Sequence, residues 1–248
     1  MELIVIAAGR GSRFTKAGIY QPKPLVIFNG KPLFWWATES ALSGGDFSKI
    51  HFAILREHVN SHNIGKEILA FYPHASLHIV EEITSGAAET AALVAAKLTP
   101  SIPVAFVDCD LAFSFVKKES FLPLLQHEYC ASLCLFNSNN PAFSYAIFNS
   151  KNEISGTVEK RVASDWAICG LYAFESAGLY LRHYLEYQNS CTYKELFLSG
   201  IINNIVKAGG KILPIFLSEH LSLGTPSDIK EALNDPNHNS IHWQRKQT

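Results

Sequence analysis

The sequence carries almost no net charge, because its 21 lysines and arginines are balanced by 22 aspartates and glutamates, a formal net charge of -1 over 248 residues. A protein held to nucleic acid or to an anionic membrane by bulk charge needs a clear excess of basic residues. Charged residues make up only 17% of the chain and hydrophobic residues make up 48%. This composition excludes a disordered chain and predicts a well-buried core.

The sequence also lacks a long hydrophobic run and a cysteine framework. Its first apolar run, residues 3–8, is shorter than the roughly 20 residues of a membrane span and has no basic flank like that of a signal peptide. The five cysteines are odd in number and form no Cys-x-x-Cys pair, which predicts reduced, mostly buried thiols rather than disulfides or a zinc site. We therefore expect a soluble, cytoplasmic protein.

Strand-like and helix-like segments alternate along the first half of the chain. Short β-branched runs are followed by segments with apolar residues at helical spacing, which often end at glycine or proline. This alternation predicts right-handed βαβ units and therefore an α/β fold. We expect a Rossmann-like three-layer α/β/α arrangement with a mostly parallel central sheet. The predicted strands are residues 3–6, 50–55, 76–80, 103–107, 130–136, 144–149, 168–174 and 211–216, and the predicted helices are 32–42, 60–72, 86–98 and 194–208.

No repeat or linker divides the chain, so the sequence predicts a single domain over residues 1–235, followed by a polar tail, 236–248. His58 and His62 are four residues apart on a predicted helix, the spacing of two metal ligands on one face. No third ligand is evident beside them, and we predict that both lie on the surface.

The loop after the first predicted strand, residues 7–13 (AAGRGSR), is the most informative segment. Glycines directly after a buried strand let consecutive backbone amides approach phosphate oxygens. Arg13 can hold a phosphate through its planar guanidinium group, and Lys23, within residues 22–24 (PKP), can act as a point charge. The loop is not a P-loop, because no Gly-Lys-Ser/Thr follows four residues after a first glycine, and it is not Gly-x-Gly-x-x-Gly, because residue 14 is Phe. The alternative is a surface turn with solvated charges.

These two motifs together resemble the sugar-phosphate nucleotidyltransferases, or sugar nucleotide pyrophosphorylases, and the resemblance extends over about residues 2–233. The signature of that family is a first strand, then Gly-x-Gly-Ser/Thr-Arg, then Pro-Lys-Pro/Ala. The resemblance implies a GT-A-like nucleotidyltransferase that condenses an NTP with a sugar 1-phosphate, or a similar phosphorylated acceptor, to give an NDP-sugar and pyrophosphate. It also implies a nucleotide-binding half, residues 1–115, and an acceptor-binding half, residues 116–235.

The resemblance implies a nucleotide site around the glycine loop. Arg13 would neutralise the β,γ-phosphates, and Lys23 would contact the α-phosphate or the incoming phosphate. Gly86 would lie against the base, although residues 84–90 are also typical of a helix start capped by Thr84 or Ser85. The implied nucleotide-binding residues are Ala7, Ala8, Gly9, Gly11, Ser12, Arg13, Lys23, Gly86 and Ala87.

Two aspartates, Asp108 and Asp110, follow the fourth predicted strand, where open α/β sheets bind ligands. The family places a Mg²⁺-binding aspartate here, and Asp110 is the better match, whereas Asp108 would cap or orient. Many relatives carry a second metal-binding aspartate where this sequence has Ser222. Either Asp110 suffices, or another group substitutes, or activity is reduced. We expect Asp228 to be a helix cap.

Residues 158–161 (VEKR) resemble the acceptor-site motif of the family. Lys160 would bind the acceptor phosphate and Glu159 its hydroxyl groups, while Asp165 extends the match and Gly170 would pack against the acceptor. A solvated basic patch is the ordinary alternative. Ala146, where relatives often have Gly, would change the acceptor pocket. The implied catalytic residues are Arg13, Lys23, Asp110 and Lys160.

Two other functions stay open. A GT-A-type glycosyltransferase could bind a sugar nucleotide through the Asp-x-Asp at 108–110, although the basic loop does not favour it. A degenerate relative could bind nucleotide for regulation, which Ser222 supports. The resemblance implies a role in polysaccharide biosynthesis and no nucleic-acid or membrane partner. It leaves the base, the acceptor and any homo-oligomer undetermined.

Overall fold

The computed structural model describes residues 1–45, 47–116 and 128–234. Its strands are β1 (Glu2–Ala7), β2 (Ile27–Phe28), β3 (Lys31–Pro32), β4 (Lys49–Leu55), β5 (Ser76–Val80), β6 (Val104–Asp108), β7 (Leu111–Phe115), β8 (Ala131–Asn137), β9 (Tyr145–Phe148), β10 (Ile154–Val158), β11 (Trp166–Phe174) and β12 (Ile212–Ser222). Its helices are α1 (Ser12–Lys16), α2 (Leu33–Gly44), α3 (Arg56–His62), α4 (Ile64–Phe71), α5 (Ala87–Ala95), α6 (Ala177–Ser190), α7 (Leu198–Lys207) and α8 (Pro226–Asn234), and a 3-10 turn covers Lys23–Leu25. The predicted polar tail lies outside the described residues.

A ten-stranded sheet has the order β5-β4-β1-β6-β11-β8-β12-β7, with β9 and β10 as a hairpin beside β11. Strands β5, β4, β1 and β6 pair in parallel. Strand β11 is antiparallel to both of its neighbours, β6 and β8, while β12 runs parallel to β8. From β5 to β12, therefore, every strand except β11 points the same way, and the predicted α/β fold with a mostly parallel central sheet is confirmed.

Alternate residues of β1 face two separate cores, as expected for a strand covered on both sides. Leu3 and Val5 point into a core that includes residues of α2 and α4, whereas Ile4 and Ile6 point into a core that includes residues of α5, α6 and α7. All four side chains are buried. Each contributes about 1.5–3 kcal/mol by leaving water. The sheet at β1 therefore has one helix-containing core on each of its faces, which gives the three layers of an α/β/α arrangement.

The order of the strands reverses at β1. The chain runs from β1 outward to β4 and β5, and then crosses to β6 on the other side of β1. At such a reversal the loops after the two neighbouring strands diverge, which leaves a crevice at the carboxyl edge of the sheet. The loops after β1 and β6 carry the glycine motif and the paired aspartates, so the topology brings both to one crevice.

Several helices differ from their predicted bounds. The predicted helix 60–72 is two helices, α3 and α4, because Asn63 between them has a φ of 51°. His58, predicted to lie on the surface, is buried at 7% exposure, because the helix turns it inward. Helix α7 begins only at Leu198, since the residue two before it, Leu196, pairs instead with the backbone at Ser85 and Ala88.

Helix α6 was not predicted at all. Its buried face consists largely of tyrosine and histidine, which hydrophobic periodicity detects weakly. Tyr180 is fully buried because its hydroxyl donates to the carbonyl oxygen of Ala88 at 2.7 Å. A local signal does exist, since the Ser176 hydroxyl accepts from the Leu179 amide and caps the helix.

Of the five cysteines, Cys109, Cys134 and Cys169 are buried, and the other two are half-buried. None of the helices in the described ranges has the length and apolar character needed to cross a membrane.

A chain of two histidines links the start of β1 to β4 and β5. His51 places Nε2 at 2.9 Å from Glu2 Oε2 and Nδ1 at 2.8 Å from His78 Nε2. An ionised carboxylate only accepts, so His51 donates through Nε2 to Glu2, and the Nδ1 of a neutral His51 accepts from His78. Burial lowers the pKa of both rings, and together with the neighbouring His51 ring it lowers the pKa of His78 to about 4.

We expect the free energy of unfolding to decrease as the pH falls from about 6.5 towards the His78 pKa of about 4. In this window the histidines of the unfolded chain take up protons that the folded chain excludes, so acid favours unfolding. Urea denaturation of the wild type and of His78→Gln at pH 7, 6 and 5 measures this. The variant should lose less stability on acidification, and equal losses in the two proteins would contradict the expectation.

Candidate active site

A cavity of about 930 Å³ opens at the carboxyl edge of the sheet, beside the crevice between β1 and β6. Most of the predicted site residues line it, although they come from distant parts of the chain. Those that line it are Ala8, Gly9, Gly11, Ser12, Arg13, Lys23, Gly86, Ala87, Asp110, Glu159, Lys160 and Gly170. Ala7 and Asp165 are not among its lining residues, since Ala7 faces the core beside α2 and Asp165 uses its backbone oxygen to bind Ser138 and Asn137.

The two loop glycines differ in what they allow. Gly11 has a φ of 63°, a left-handed conformation, and a Cβ on it would lie 3.1 Å from the Cβ of Lys23. A Cβ on Gly9 would meet no atom within 4 Å. Gly11 therefore shapes the loop and lets Lys23 approach, while Gly9 leaves the cavity wall open for a ligand to approach the backbone.

Lys23 and Asp110 form an ion pair across the cavity wall. Lys23 Nζ donates to Asp110 Oδ2 at 2.8 Å, and each side chain is only 17% exposed. Burial by itself would lower the pKa of Lys23, but the Asp110 carboxylate outweighs it and raises that pKa above its usual range. The lysine therefore stays charged, as a group that binds phosphate must.

The two aspartates after β6 differ in charge. Burial and the neighbouring Asp110 carboxylate raise the pKa of Asp108 to about 7. Burial alone would also raise the pKa of Asp110, yet the charges of Lys23 and Arg13 lower it below its usual value. The surroundings therefore favour the charged form of Asp110 and disfavour the charged form of Asp108.

Gly170 holds β11 close to the first aspartate. Its φ is 97°, and a Cβ on it would lie 2.9 Å from Asp108 Oδ2 and 2.7 Å from Leu111 Cδ2. The resemblance implies that Gly170 packs against an acceptor. It lines the cavity, and it is also the residue that makes room for Asp108 and Leu111.

The surroundings of Asp110 fit a hard cation such as Mg²⁺. Its carboxylate already holds the Lys23 ammonium group, and a Cβ on Gly224 would lie 2.8 Å from Oδ2, so the glycine leaves space beside the charge. Carboxylate oxygens are the ligands that Mg²⁺ prefers. Within the described ranges, no group of three or more His, Cys, Asp or Glu side chains could hold a metal. Mg²⁺ is usually bound through one or two carboxylates together with water and phosphate oxygens of a substrate.

The predicted cap at Asp228 is wrong. The hydroxyl of Thr225 caps α8 instead, since it accepts from the Asp228 amide at 3.0 Å. The Asp228 carboxylate points back to Ser222, whose hydroxyl donates to Oδ2 at 3.2 Å. Asp228 and Ser222 both line the cavity.

The turn at residues 84–88 is held by the segment before α7. A Cβ on Gly86 would lie 2.5 Å from the Leu196 carbonyl oxygen, and the Leu196 amide donates to Ser85 at 2.9 Å. The N-cap of α5 is Gly86, and neither Thr84 nor Ser85 caps the helix through its side chain. Instead, a Glu89 carboxylate oxygen accepts from the Ser85 amide, just before the helix, at 2.6 Å. Gly86 thus permits a close backbone contact and also faces the cavity.

Glu159 is buried and held by two hydroxyl groups. The hydroxyls of Ser144 and Ser199 both donate to Oε1, the former at 2.6 Å. Both of these bonds use the same carboxylate oxygen of Glu159. Lys160 has a φ of 51°, and its ammonium group lies 4.9 Å from the centre of the Phe197 ring. This cation–π contact helps to hold the ammonium group in place at the cavity wall.

Sequence reasoning missed several lining or supporting residues. Ser144, Phe197 and His220 line the cavity, and Ser199 lies behind Glu159. The His220 ring stacks on Phe136 at 3.8 Å, and burial lowers its pKa to about 4. No short motif contains these residues, because each reaches the cavity from a separate element. Ala146, expected to affect the acceptor pocket, is instead fully buried in the core beside α5.

Comparisons with known proteins agree with this architecture. The Nucleotidyl transferase family model matches residues 2–238. The crystal structure of a nucleoside-diphosphate-sugar pyrophosphorylase from Vibrio cholerae RC9 is similar with a TM-score of 0.79 and 23% identity, covering 95% of this chain and 100% of that one. The inositol-1-phosphate CTP transferase from T. maritima is similar with a TM-score of 0.72 and 15% identity, covering 97% and 94%. At these identities the two structures establish the shared fold. No curated protein gives a significant match.

We expect Gly11→Ala to lower the free energy of unfolding by about 1–3 kcal/mol. Alanine in the left-handed conformation is strained, and its Cβ would crowd Lys23. Gly9→Ala is the matched control, because its Cβ meets open space, and it should change stability by less than about 0.5 kcal/mol. Urea denaturation of the three proteins measures the difference. Equal destabilisation by the two substitutions would contradict the assignment.

Proposed function

The chain belongs to the nucleotidyl transferase family, and we propose that it joins an NTP to a phosphorylated small molecule, a sugar 1-phosphate or a similar compound, and releases pyrophosphate. The observation that carries this proposal is the single cavity shared by the glycine loop, the Lys23–Asp110 pair and Glu159–Lys160. Basic side chains from both sequence motifs, Arg13, Lys23 and Lys160, line that cavity. Such a distribution suits two substrates that each carry phosphate.

The nucleotide occupies the side of the cavity beside β1. Gly9 leaves room for backbone amides to meet phosphate oxygens, and Arg13 is exposed at the rim, where its guanidinium group can bind two oxygens at once. Lys23 is charged and partly buried, so its field on a phosphate is less screened than that of a surface lysine. These residues neutralise the triphosphate and its leaving pyrophosphate.

The acceptor occupies the side lined by β11 and the loop after β10. Lys160 binds its phosphate, while Glu159, whose Oε1 is already held by two serines, accepts a hydroxyl group through Oε2. A carboxylate fixed in this way recognises a polyol better than a featureless phosphate ester. This geometry favours a sugar or cyclitol phosphate as the acceptor.

In the reaction an oxygen of the acceptor phosphate attacks the α-phosphorus in line and forms a new P–O bond. The bond between the α-phosphorus and the α,β-bridging oxygen breaks, and its electron pair leaves with pyrophosphate. The attacking oxygen is already anionic, so none of the residues has to act as a general base. Lys23, Arg13 and Lys160 position the two phosphates and offset their repulsion. Mg²⁺ beside Asp110 would supply further positive charge to the phosphate oxygens.

The proteins of similar structure support a phosphorylated acceptor. One neighbour is a nucleoside-diphosphate-sugar pyrophosphorylase and another is an inositol-1-phosphate CTP transferase. For this chain we propose a phosphorylated polyol as the acceptor. We also propose that the product is an activated sugar used in polysaccharide biosynthesis.

A pyrophosphate-release assay tests the proposal. The common NTPs are each combined with hexose 1-phosphates, a heptose 1-phosphate, inositol 1-phosphate and phosphocholine in the presence of Mg²⁺. Pyrophosphate release with at least one pair is expected. Release of a nucleoside diphosphate from a sugar nucleotide would indicate a glycosyltransferase instead. Nucleotide binding with no turnover of any pair would indicate a binding protein, and either result would refute the proposal.

We expect Lys23→Ala to lower kcat/KM by about 100-fold or more, since removing one charged contact to the transition state costs roughly 3 kcal/mol. Lys16→Ala is the matched control, because Lys16 is exposed on α1 and does not line the cavity. Its kcat/KM should stay within about twofold of wild type. A thermal melt shows whether the fold survives the loss of the Asp110 partner. Full activity of a folded Lys23→Ala protein would exclude the assigned role.

A further inference from the structure

Two carboxylates from distant parts of the chain approach one glycine. A Cβ on Gly224 would lie 2.8 Å from Asp110 Oδ2 and 3.6 Å from Asp228 Oδ2. Asp110 follows β6 and Asp228 lies in the first turn of α8. The Leu223 amide donates to the Asp110 carbonyl oxygen at 2.8 Å and joins the two segments. The absent side chain at Gly224 leaves a space that both carboxylates border.

The position of Asp228 is not explained by the helix that carries it. Thr225 already caps α8 through the Asp228 amide, and the carboxylate turns away to accept from Ser222 at 3.2 Å. Among the residues that the structure describes, Asp228 makes no ion pair with any lysine, arginine or histidine. Asp228 is thus a half-buried carboxylate that borders the space beside Asp110. Carboxylate oxygens in such a position can serve as ligands of a hard cation.

We propose that Asp228 is the second carboxylate of a divalent-cation site whose first is Asp110, and that Ser222 orients it. This inference rests on the proposed function, in which Mg²⁺ acts beside Asp110. Two carboxylates with phosphate oxygens and water form a usual Mg²⁺ coordination set. Asp228 then supplies the second carboxylate that many relatives carry at position 222. The Ser222 hydroxyl holds that carboxylate in place, and both residues line the same cavity.

The experiment measures Mn²⁺ binding by electron paramagnetic resonance, with and without inorganic pyrophosphate. Pyrophosphate represents the β- and γ-phosphates that every NTP carries. Asp228→Asn keeps the size of the side chain and its capacity to accept from Ser222, and it should weaken Mn²⁺ binding about tenfold or more. Glu231→Gln removes a charge from the same helix at an exposed position, and it should leave Mn²⁺ affinity unchanged. Thermal melts verify that each variant is folded.

A rescue variant separates loss of a ligand from loss of structure. Ser222→Asp combined with Asp228→Asn places the carboxylate at position 222 instead of position 228. This variant should restore Mn²⁺ affinity to within about threefold of wild type, since both positions line the same cavity as Asp110. Wild-type affinity in folded Asp228→Asn would overturn the inference. So would equal losses in Asp228→Asn and Glu231→Gln, or the absence of Mn²⁺ binding by the wild type in both conditions.

This readout is independent of turnover. If no NTP and acceptor pair releases pyrophosphate, but Asp228→Asn alone loses Mn²⁺, the proposed function fails and the cation pair stands. If pyrophosphate is released and Asp228→Asn binds Mn²⁺ normally, the function stands and the role of Asp228 fails.

Discussion

The ion pair between Lys23 and Asp110 is the interaction on which the rest of the site depends. It joins the 3-10 turn Lys23–Leu25 to the loop after β6, beside the point where the strand order reverses. The lysine lowers the pKa of Asp110, and burial together with the Asp110 carboxylate raises the pKa of Asp108. One contact of 2.8 Å thus favours the charged forms of both the phosphate-binding lysine and the carboxylate beside it.

Glycines around this pair let backbone and side chains meet where a Cβ would not fit. Gly11 admits Lys23, Gly170 admits Asp108, and Gly224 leaves space between Asp110 and Asp228. The charged groups can thus lie close together without displacing the sheet. The repulsion between the neighbouring carboxylates is offset by Lys23 and, in the proposed cation site, by a divalent cation.

Features encoded by short segments were predictable. The strands near residues 3–6, 50–55, 76–80 and 103–107 occur where the buried β-branched runs are, and the glycine loop and aspartate pair follow two of them. Features encoded by long-range contacts were not. Helix α6 is held by tyrosines whose hydroxyl and ring contacts lie on other elements, and Ser199 supports Glu159 from 40 residues away. The role of Asp228 was mistaken because a carboxylate in the first turn of a helix usually caps it, and only the tertiary contacts show Thr225 taking that part.

The sequence by itself determined the α/β class, the family and the principal charged groups, because strand periodicity and the two loop motifs are local properties of the chain. The tertiary structure decided which of those groups meet. Pairing β6 beside β1 brings Asp110 to Lys23, and pairing β12 with β7 brings Ser222 and then Asp228 to the same cavity. Residues separated by about one hundred positions come close only through the order and packing of the strands. A local sequence pattern does not predict that order, so it does not predict these contacts.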